Sequence, residues 1–398
     1  MLFLKNTKIT IFFKTKYKKE NNFRLSLQNI MAGVYIHIPF CKQRCSYCDF
    51  FSSTEIHRKE NYVDALCEEL IERKDYLCEQ VETIYFGGGT PTLLSPAEFE
   101  KIFHTLYLVY GEDKNREITL EANPDDLTSE YLNSIKHLPF NRISLGVQSF
   151  NDRELQLLNR RHDAQSAIRA VQRLQQAGYG NISIDLIYGL PGQNRKIWNK
   201  NLSQAIDLQV QHISAYHLIY EEETPVYKQL KEGKLTPADE ELSNSLFELL
   251  IDTLTAVGFE HYEISNFARY GFQSRHNSSY WNGTQYLGVG ASAHSYNGFS
   301  RQWNKKTLSP DYWTSGYEIE ILDEKTKYND FVITRLRTMK GIDINELTSL
   351  FGESQKNYCL KQAQKFIVNN LLICVDNFLR LTRKGIFISD SIMSDLMD

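Results

Sequence analysis

The sequence predicts an α/β protein made of a partial (β/α)6 TIM-like barrel and a small, mainly helical, winged-helix-like C-terminal domain. Three observations support this prediction. From residue 33, short β-rich runs alternate six times with amphipathic stretches; polar and glycine residues fall at or just after the strand ends; and the pattern changes beyond about residue 310. Strand followed by helix, repeated, builds a parallel sheet with helices outside. Functional groups at many successive strand ends favour a barrel over an open sheet.

The predicted strands are short, rich in Ile, Val, Tyr and Leu, and bounded by turn-forming residues. They cover 34–38, 83–86, 117–121, 142–146, 182–187 and 212–218. The predicted helices between and after them cover 60–75, 96–110, 127–134, 164–177, 196–207 and 238–257. Start signals such as Ser95 before Pro96, and stop signals such as Gly178 after an apolar helix end, set these limits.

The C-terminal part follows a different order of elements. The predicted helices cover 328–338, 344–351, 354–368 and 382–396, and two short strands lie near 371–375 and 379–381. This order suits a winged-helix-like module, and we find no basic face on it that would favour DNA binding. The predicted organisation is an N-terminal extension (1–32), a barrel (33–310) and the C-terminal domain (311–398).

The N-terminal extension is basic, with seven Lys and Arg residues against one Glu in the first thirty positions. This bias is typical of a targeting segment, but its apolar run at 9–13 is too short for a secretory signal. We interpret the extension as a disordered tail or as the product of an upstream start codon, with Met31 as the true beginning.

Composition and charge exclude several classes of protein. The net charge of −4 gives no support to a nucleic-acid-binding surface. No run of about 18 apolar residues predicts a membrane span. The odd number of cysteines, seven in 398 residues, indicates a reducing compartment rather than a disulfide framework. We therefore expect a cytoplasmic protein, with Cys67, Cys78, Cys359 and Cys374 as buried small apolar residues.

The remaining three cysteines, Cys41, Cys45 and Cys48, crowd into eight residues as C-x3-C-x2-C. Structural zinc usually takes four ligands from two separated pairs. No second pair occurs here, although His37 or His57 could supply a fourth ligand. Thiolates are the usual ligands of iron–sulfur clusters, and three of them on a four-iron cube leave one iron open. We predict a [4Fe–4S] cluster on these cysteines, with zinc as the alternative.

This motif, with Tyr47 before its last cysteine, resembles that of the radical S-adenosylmethionine (SAM) superfamily. The resemblance implies that the open iron binds the amino and carboxylate groups of S-adenosylmethionine. It also implies that the triplet Gly87–Gly89, which follows the second strand, contacts the methionine moiety. Glycines suit this task because they permit positive φ and a close approach of backbone to ligand.

Later segments narrow the resemblance to the oxygen-independent coproporphyrinogen III oxidase-like family, from about residue 33 to the end. They read E-A-N-P from 121, L-G-V-Q-S-F from 145, L-N-R-R-H from 158, I-D-L-I-Y-G-L-P-G from 184 and H-N-S-S-Y-W from 276. The resemblance implies that Tyr35, Gly88 and Glu121 contact the S-adenosylmethionine on the cluster. It also implies contacts with this molecule, or with a second bound molecule, for Gly89, Thr90, Gln148, Arg160 and Asp185.

Charge makes these roles chemically sensible, because Glu121 can accept hydrogen bonds from a cationic amine and Arg160 can pair with a carboxylate. Each residue also has a structural alternative. Glu121 could cap a turn, Arg160 could lie on a solvated helix face, and Asp185 could be an N-cap at a strand end.

Two departures separate the chain from true oxidases of this family. Phe50 stands where they carry a further cysteine, and the basic N-terminal segment does not resemble their longer N-terminal region. Phe50 and the segment from His276 to Trp281 instead resemble the HemW-type haem chaperones. This branch implies a haem chaperone that delivers haem to respiratory cytochromes. His276 is the candidate haem ligand, because a neutral imidazole is the commonest protein ligand of haem iron, and His217 and His294 are rivals. The structural alternative is a histidine that hydrogen-bonds within a loop, beside a Tyr-Trp pair that fills the core.

The sequence leaves two other functions open. One is a radical SAM oxidase that decarboxylates coproporphyrinogen III to protoporphyrinogen IX, an activity that Phe50 makes doubtful. The other is a zinc-dependent interaction protein. For the chaperone, the implied partners are haem and haem-accepting respiratory proteins, and the sequence leaves room for a homodimer and for transient contact with a membrane surface.

Overall fold

The computed structural model describes residues 31–398 and contains all six predicted parallel strands. They are β1 (Met31–Ile38), β2 (Gln80–Gly88), β3 (Glu117–Ala122), β4 (Arg142–Gln148), β5 (Ile182–Tyr188) and β6 (His212–His217). Each pairs in parallel with the next. The predicted barrel-type α/β fold with a parallel sheet core is therefore confirmed. The basic segment 1–30 lies outside the described residues.

Eight helices connect and follow these strands on the outside of the sheet. They are α1 (Lys59–Glu72), α2 (Pro96–Tyr110), α3 (Ser129–Ile135), α4 (Asp152–Leu157), α5 (Ala164–Gln176), α6 (Arg195–Asp207), α7 (Pro225–Lys231) and α8 (Glu240–Ala256). The start of α2 shows why the predicted limits hold: Ser95 and Glu98 form a capping box, and Pro96 occupies the first turn. The short helices α4 and α7 were not predicted.

The sheet continues at both ends with short strands that the sequence analysis missed. Beyond β6 lie β7 (Glu260–Glu263) and β8 (Asn266–Ala268), and beside β1 lie β9 (Tyr286–Val289), β10 (His294–Tyr296), β11 (Ser300–Trp303) and β12 (Glu318–Ile321). The order is β12-β11-β10-β9-β1-β2-β3-β4-β5-β6-β8-β7. Strands of three or four residues are too short for a period-two pattern to stand out. Helix α9 (Arg275–Trp281) packs against β1 and β2.

The C-terminal region is mainly helical, as predicted. It contains α10 (Glu324–Leu336), β13 (Ile342–Asp343), α11 (Ile344–Val368), β14 (Leu372–Val375), β15 (Phe378–Leu381), α12 (Arg383–Ile386) and α13 (Ser389–Leu396). Gly352, at φ +80°, kinks α11 where two helices were predicted. The domain boundary at residue 310 stays a prediction. Strand β12 lies beyond this residue and pairs with β11 of the large sheet. Among the helices of residues 31–398, none is long and apolar enough to cross a membrane.

The two faces of the parallel sheet differ in chemistry. Every second side chain packs against the helices, as the fully buried Ile84, Leu120 and Ile184 do. The alternating side chains point into the barrel interior and are polar or aromatic. They include Thr83, Tyr85, Thr119, Glu121, Arg142, Ser144, Ser183, Asp185, His212 and Ser214. A polar interior that opens at the carboxyl ends of the strands is where this fold can bind a ligand.

Candidate functional site

The loop that carries the three cysteines begins at the carboxyl end of β1 and is fixed at its base. The amide of Cys41 donates to the carbonyl of Ser53 (2.9 Å), and the amide of Ser53 donates to the carbonyl of Pro39 (2.6 Å). In the middle of the loop, the amide of Ser46 donates to the carbonyl of Leu158 (3.1 Å). The loop is thus tied both to β1 and to the segment after α4, with its three thiols partly exposed.

Two polar side chains donate hydrogen bonds to the thiols. The Thr90 hydroxyl lies 3.6 Å from Cys41 Sγ, and Arg160 Nη1 lies 3.1 Å from Cys45 Sγ. Such donors stabilise thiolates that ligate iron. Burial raises the pKa of Cys48 to about 12 and also raises the pKa of Cys41. Cluster assembly must therefore displace the protons of these thiols. Three thiolates fit an iron–sulfur cluster, which binds thiolate sulfur strongly.

The other cysteines correct part of the prediction. Cys67 and Cys359 are buried as expected, but Cys78 and Cys374 are exposed, in the loop after α1 and on β14. None of the seven cysteines, all of which lie in the described part of the chain, forms a disulfide. Within residues 31–398, no group of three or more His, Cys, Asp and Glu side chains is gathered closely enough to hold a single metal ion.

His37, a candidate fourth zinc ligand in the sequence, has both ring nitrogens engaged. Nδ1 lies 3.0 Å from the Tyr35 hydroxyl, and Nε2 lies 3.0 Å from the Phe51 carbonyl oxygen. Since a carbonyl can only accept, Nε2 carries the proton and Nδ1 accepts from Tyr35. Burial also lowers the pKa of His37 to about 4. His37 therefore braces Tyr35 and the end of the cysteine loop.

The glycines at the end of β2 and directly after it are required by close contacts. Gly88 has φ +108°, and a Cβ there would lie 2.5 Å from the His37 ring. A Cβ on Gly89 would lie 2.7 Å from the Phe40 carbonyl oxygen, at the base of the cysteine loop. Only glycine permits both the positive φ and the approach. The backbone of this loop therefore lies directly against the segment that leads into the cysteines.

Glu121 lies beneath the glycine loop. Its Oε1 accepts from the Tyr85 hydroxyl (2.7 Å) and its Oε2 from the Gly88 amide (3.1 Å). Burial raises the pKa of this carboxyl to about 7, although the bond from Tyr85 opposes the shift. The capping alternative is wrong, because the carboxylate points into the barrel mouth rather than at the following turn.

Arg160 follows α4 and links the cysteine loop to the strand ends. In addition to its bond to Cys45, Nη2 donates to the Gly146 carbonyl (2.8 Å) and to Asn123 Oδ1 (2.5 Å). It is therefore not a residue of a solvated helix face. Asn123 was not predicted as a site residue, although it belongs to the E-A-N-P motif. Its Nδ2 donates to Thr90 Oγ1 (3.1 Å), so it orients both of the side chains that contact the thiols.

Gln148 and Asp185 also face the barrel interior. Gln148 ends β4 with φ +66°, where the register with β5 shifts, so its side chain is re-aimed at a backbone irregularity. Asp185 lies in the middle of β5 opposite Ser214, not at a strand end as predicted. Burial raises the pKa of Asp185 to about 6, while hydrogen bonding by Ser214 and the charge of Arg142 lower it.

His276 lies apart from the cysteine loop and is fully engaged within the fold. Its Nδ1 lies 2.8 Å from Thr83 Oγ1, its Nε2 lies 2.9 Å from the Tyr280 hydroxyl, and its ring stacks on Tyr85 at 5.0 Å. Its amide donates to Glu117 Oε1 (2.9 Å). Burial lowers the pKa of His276 to about 3. Its role as a haem ligand stays a prediction, and it would require these bonds to be given up.

The structure therefore brings most of the predicted residues to one place. Gly88, Gly89, Thr90, Glu121 and Arg160 lie in direct contact with one another or with the cysteine loop. Tyr35 joins them through His37. The arrangement offers thiolate ligands, exposed backbone around glycines, and both a carboxylate and a guanidinium, which suits a ligand with an amine and a carboxylate.

The chain is similar to known proteins in both sequence and fold. The sequence profile of the radical SAM superfamily matches residues 35–202, and that of the HemN C-terminal domain matches residues 322–388. The chain is 32% identical over 373 residues to "Heme chaperone HemW" of Lactococcus lactis, covering 92% of this chain and 97% of that protein. It is 31% identical over 398 residues to the mitochondrial "Radical S-adenosyl methionine domain-containing protein 1" of Danio rerio, covering 92% and 87%.

Among solved structures, coproporphyrinogen III oxidase (HemN) from Escherichia coli shares the fold. The TM-score is 0.79 and the match covers 92% of this chain and 90% of the oxidase. The sequence identity is 23%, so this likeness shows a common architecture alone.

Proposed function

The chain belongs to the HemW haem chaperone family of the radical SAM superfamily, and we propose that it binds haem, a [4Fe–4S] cluster and S-adenosylmethionine and delivers the haem to respiratory cytochromes. The observation that carries this proposal is the match to a HemW protein along 97% of that protein's length at 32% identity. Membership of the superfamily implies the cluster and S-adenosylmethionine. The proposal that the chain binds haem rests on the name of these relatives, "Heme chaperone HemW".

We assign the cluster to Cys41, Cys45 and Cys48, whose open iron would bind S-adenosylmethionine. When bound, the cluster supplies one-electron chemistry to that molecule. The contacts of Thr90 and Arg160 with two of the thiols support this assignment. The guanidinium of Arg160 would also offset part of the negative charge that thiolates bring to the cluster, and the Thr90 hydroxyl would stabilise a thiolate by its hydrogen bond.

For S-adenosylmethionine we propose the residues around the glycine loop. Glu121 would accept hydrogen bonds from the amine, and the backbone at Gly88 and Gly89 would lie along the methionine moiety. Tyr35, Thr90, Gln148, Arg160 and Asp185 would complete the site. The carboxylate of Glu121 is held in place by Tyr85 and the Gly88 amide, which favours a fixed binding geometry.

The oxidase hypothesis has less support. The relation to HemN rests on fold at 23% identity, whereas several HemW proteins match at 30–39%. Phe50, at the position of the oxidase's further cysteine, is 52% exposed. An exposed phenylalanine there neither ligates metal nor donates a hydrogen bond to substrate.

We further propose haem-accepting respiratory proteins as partners and the cytoplasm as the place of action. A homodimer and transient contact with a membrane surface fit this role.

One experiment separates the candidate functions. The full chain is reconstituted anaerobically with iron and sulfide, its absorption spectrum is recorded, and haem binding and coproporphyrinogen III conversion are assayed side by side with S-adenosylmethionine and a reductant. A haem chaperone gives broad iron–sulfur absorption, stoichiometric haem binding and no decarboxylated product. Formation of protoporphyrinogen IX would favour the oxidase, and a colourless metal-bound protein without haem binding would favour zinc.

A further inference from the structure

The strands beside β1 extend the interior face of the barrel with an aromatic surface. Tyr35 on β1 pairs with Gly288 on β9, Gly288 is packed against the backbone of His294 on β10, and His294 pairs with Trp303 on β11. These four residues, here called the aromatic row, cross three strand spacings, which is about 14 Å at ~4.8 Å each. The row is therefore comparable in width to a tetrapyrrole.

Contacts place the row on the same face as the barrel interior. Tyr286 and Tyr296 pair across β9 and β10 with their rings 6.1 Å apart, and His294 lies two residues from Tyr296, on the same side of its strand. The residue between them, Ser295, is buried toward α1, where Arg73 donates to its hydroxyl. Side chains of the row thus continue the surface on which Tyr35 lies.

Gly288 leaves a gap in the middle of the row. A Cβ there would collide with the carbonyl oxygen of His294, so the close approach of β9 and β10 requires glycine. Because Gly288 has no side chain, a flat group can lie between Tyr35 and His294. The His294 and Trp303 rings border this gap and meet edge to face at 5.5 Å.

His294 differs from the other histidines near the barrel. His37, His212 and His276 each have both ring nitrogens hydrogen-bonded. His217 Nε2 bonds to the hydroxyl of Ser243 (2.9 Å). Within residues 31–398, neither ring nitrogen of His294 has a hydrogen-bond partner, and the side chain is only partly buried. Its imidazole is free to ligate a metal.

We propose that His294 is the axial ligand of the haem iron and that the aromatic row is the surface on which the macrocycle lies. This inference rests on the proposed haem-binding function and names the site for it. Burial and the nearby Lys306 lower the pKa of His294 to about 3, which keeps the imidazole in the neutral form that binds iron. The exposed Lys306 ammonium can pair with a haem propionate.

The position of the row also connects the haem to the cofactor site. Tyr35, at one end of the row, stacks on Tyr85 (6.1 Å), which bonds to Glu121. His276 stacks on the other side of the same network and holds Tyr280. His276, the histidine of the H-N-S-S-Y-W segment, therefore positions Tyr85 and Tyr280 beside the row, whereas His294 contacts the haem.

The test is a haemin titration of the reconstituted full chain by absorbance, with electron paramagnetic resonance to identify the axial ligand. The variants are His294→Ala and His294→Gln, with His276→Ala for the rival ligand and His104→Ala, an exposed histidine on α2, as the matched control. Iron–sulfur absorption and circular dichroism of each variant report folding.

Both His294 variants are expected to bind haem at least ~10-fold more weakly and to lose the imidazole-ligated spectrum, since even outer-shell changes at metal sites cost about 10–100-fold. Added imidazole should restore that spectrum in His294→Ala, while His276→Ala and His104→Ala keep it. A wild-type spectrum and affinity in both His294 variants would overturn this inference and leave the proposed function standing. Failure of the wild-type chain to bind haem would overturn both.

Discussion

The carboxyl ends of β1–β6 and the neighbouring strands β9–β11 carry two different kinds of surface. At the first, polar groups converge on three thiols, and Arg160, Asn123 and Thr90 fix one another by hydrogen bonds. At the second, aromatic rings and a histidine with no hydrogen-bond partner among residues 31–398 line a sheet face that is partly exposed to solvent. The first surface suits a small charged cofactor held in one geometry, and the second suits a large flat ligand that must also leave.

The two surfaces also differ in the protonation of their titratable groups. Buried carboxyls at the first surface have raised pKa values, about 7 for Glu121 and about 6 for Asp185, so their charge depends on what binds beside them. At the second surface the cation-forming group, His294, is held neutral. Binding at the strand ends is therefore coupled to protonation, whereas binding on the aromatic row depends on iron ligation and on burial of apolar area.

The largest effect is expected from Cys45→Ala, which removes one of three cluster ligands and the acceptor for Arg160. We expect iron and sulfide contents to fall to near zero after anaerobic reconstitution, because two thiolates do not hold a four-iron cube. Iron and sulfide assays measure this, with Cys78→Ala, an exposed cysteine in a loop, as control. A full cluster in Cys45→Ala would remove the assignment.

A smaller effect is expected from Glu121→Gln, which keeps an acceptor for Tyr85 but removes the charge. A charge-assisted hydrogen bond contributes about 1.5–3 kcal/mol, so S-adenosylmethionine should bind ~10–100-fold more weakly above pH 7. The loss is measured by equilibrium dialysis of the reconstituted protein, with the exposed Glu130→Gln as control.

The pH dependence of S-adenosylmethionine binding tests the same role of Glu121. The pKa of Glu121 is raised from 4.5 to about 7, so its charged form, and with it the affinity for the amine, should increase as pH rises through about 7. The contribution of the same group to fold stability has the opposite trend: it is present below about pH 4.5 and is lost as pH rises through about 7. A Glu121→Gln profile with the wild-type pH slope would contradict this role.

Gly88→Ala tests the contact between the glycine loop and β1. Gly178→Ala is the matched control, since Gly178 also has positive φ (+93°), but no atom of residues 31–398 outside its chain neighbours lies within 4 Å of the position that an added methyl group would take. Both should lose about 1–2 kcal/mol from left-handed strain. Only Gly88→Ala should lose further free energy of unfolding, measured by thermal unfolding, because its methyl group would clash with His37. The same variant should bind S-adenosylmethionine more weakly. Equal losses would show that the contact is unimportant.

The smallest effect is expected from Phe50→Cys, which recreates the oxidase cysteine pattern. Phe50 is 52% exposed, and surface substitutions usually change stability by less than about 0.5 kcal/mol. Cluster content and haem affinity should be unchanged, and coproporphyrinogen III should remain unconverted. Product formation by this variant alone would make Phe50 the residue that separates the two activities.

The sequence predicted the first surface better than the second for physical reasons. Strands β1–β6 are long enough to show their pattern, and the residues that follow them form motifs that are contiguous in sequence. Asp185 was misplaced because a polar residue in a strand pattern is typical of a strand end, whereas a barrel interior accommodates it. The aromatic row was not predicted because its strands beside β1 have only three or four residues. Its members are brought together only by sheet pairing.

The separation of the two surfaces is tested most directly by a haemin titration of a cluster-free protein, Cys41→Ala/Cys45→Ala/Cys48→Ala. The residues of the aromatic row lie on β1, β9, β10 and β11 and include none of the cysteines. We therefore predict one haem per chain with the imidazole-ligated spectrum of the wild-type protein. Loss of haem binding together with the cluster, in a variant that is folded by circular dichroism, would contradict the account.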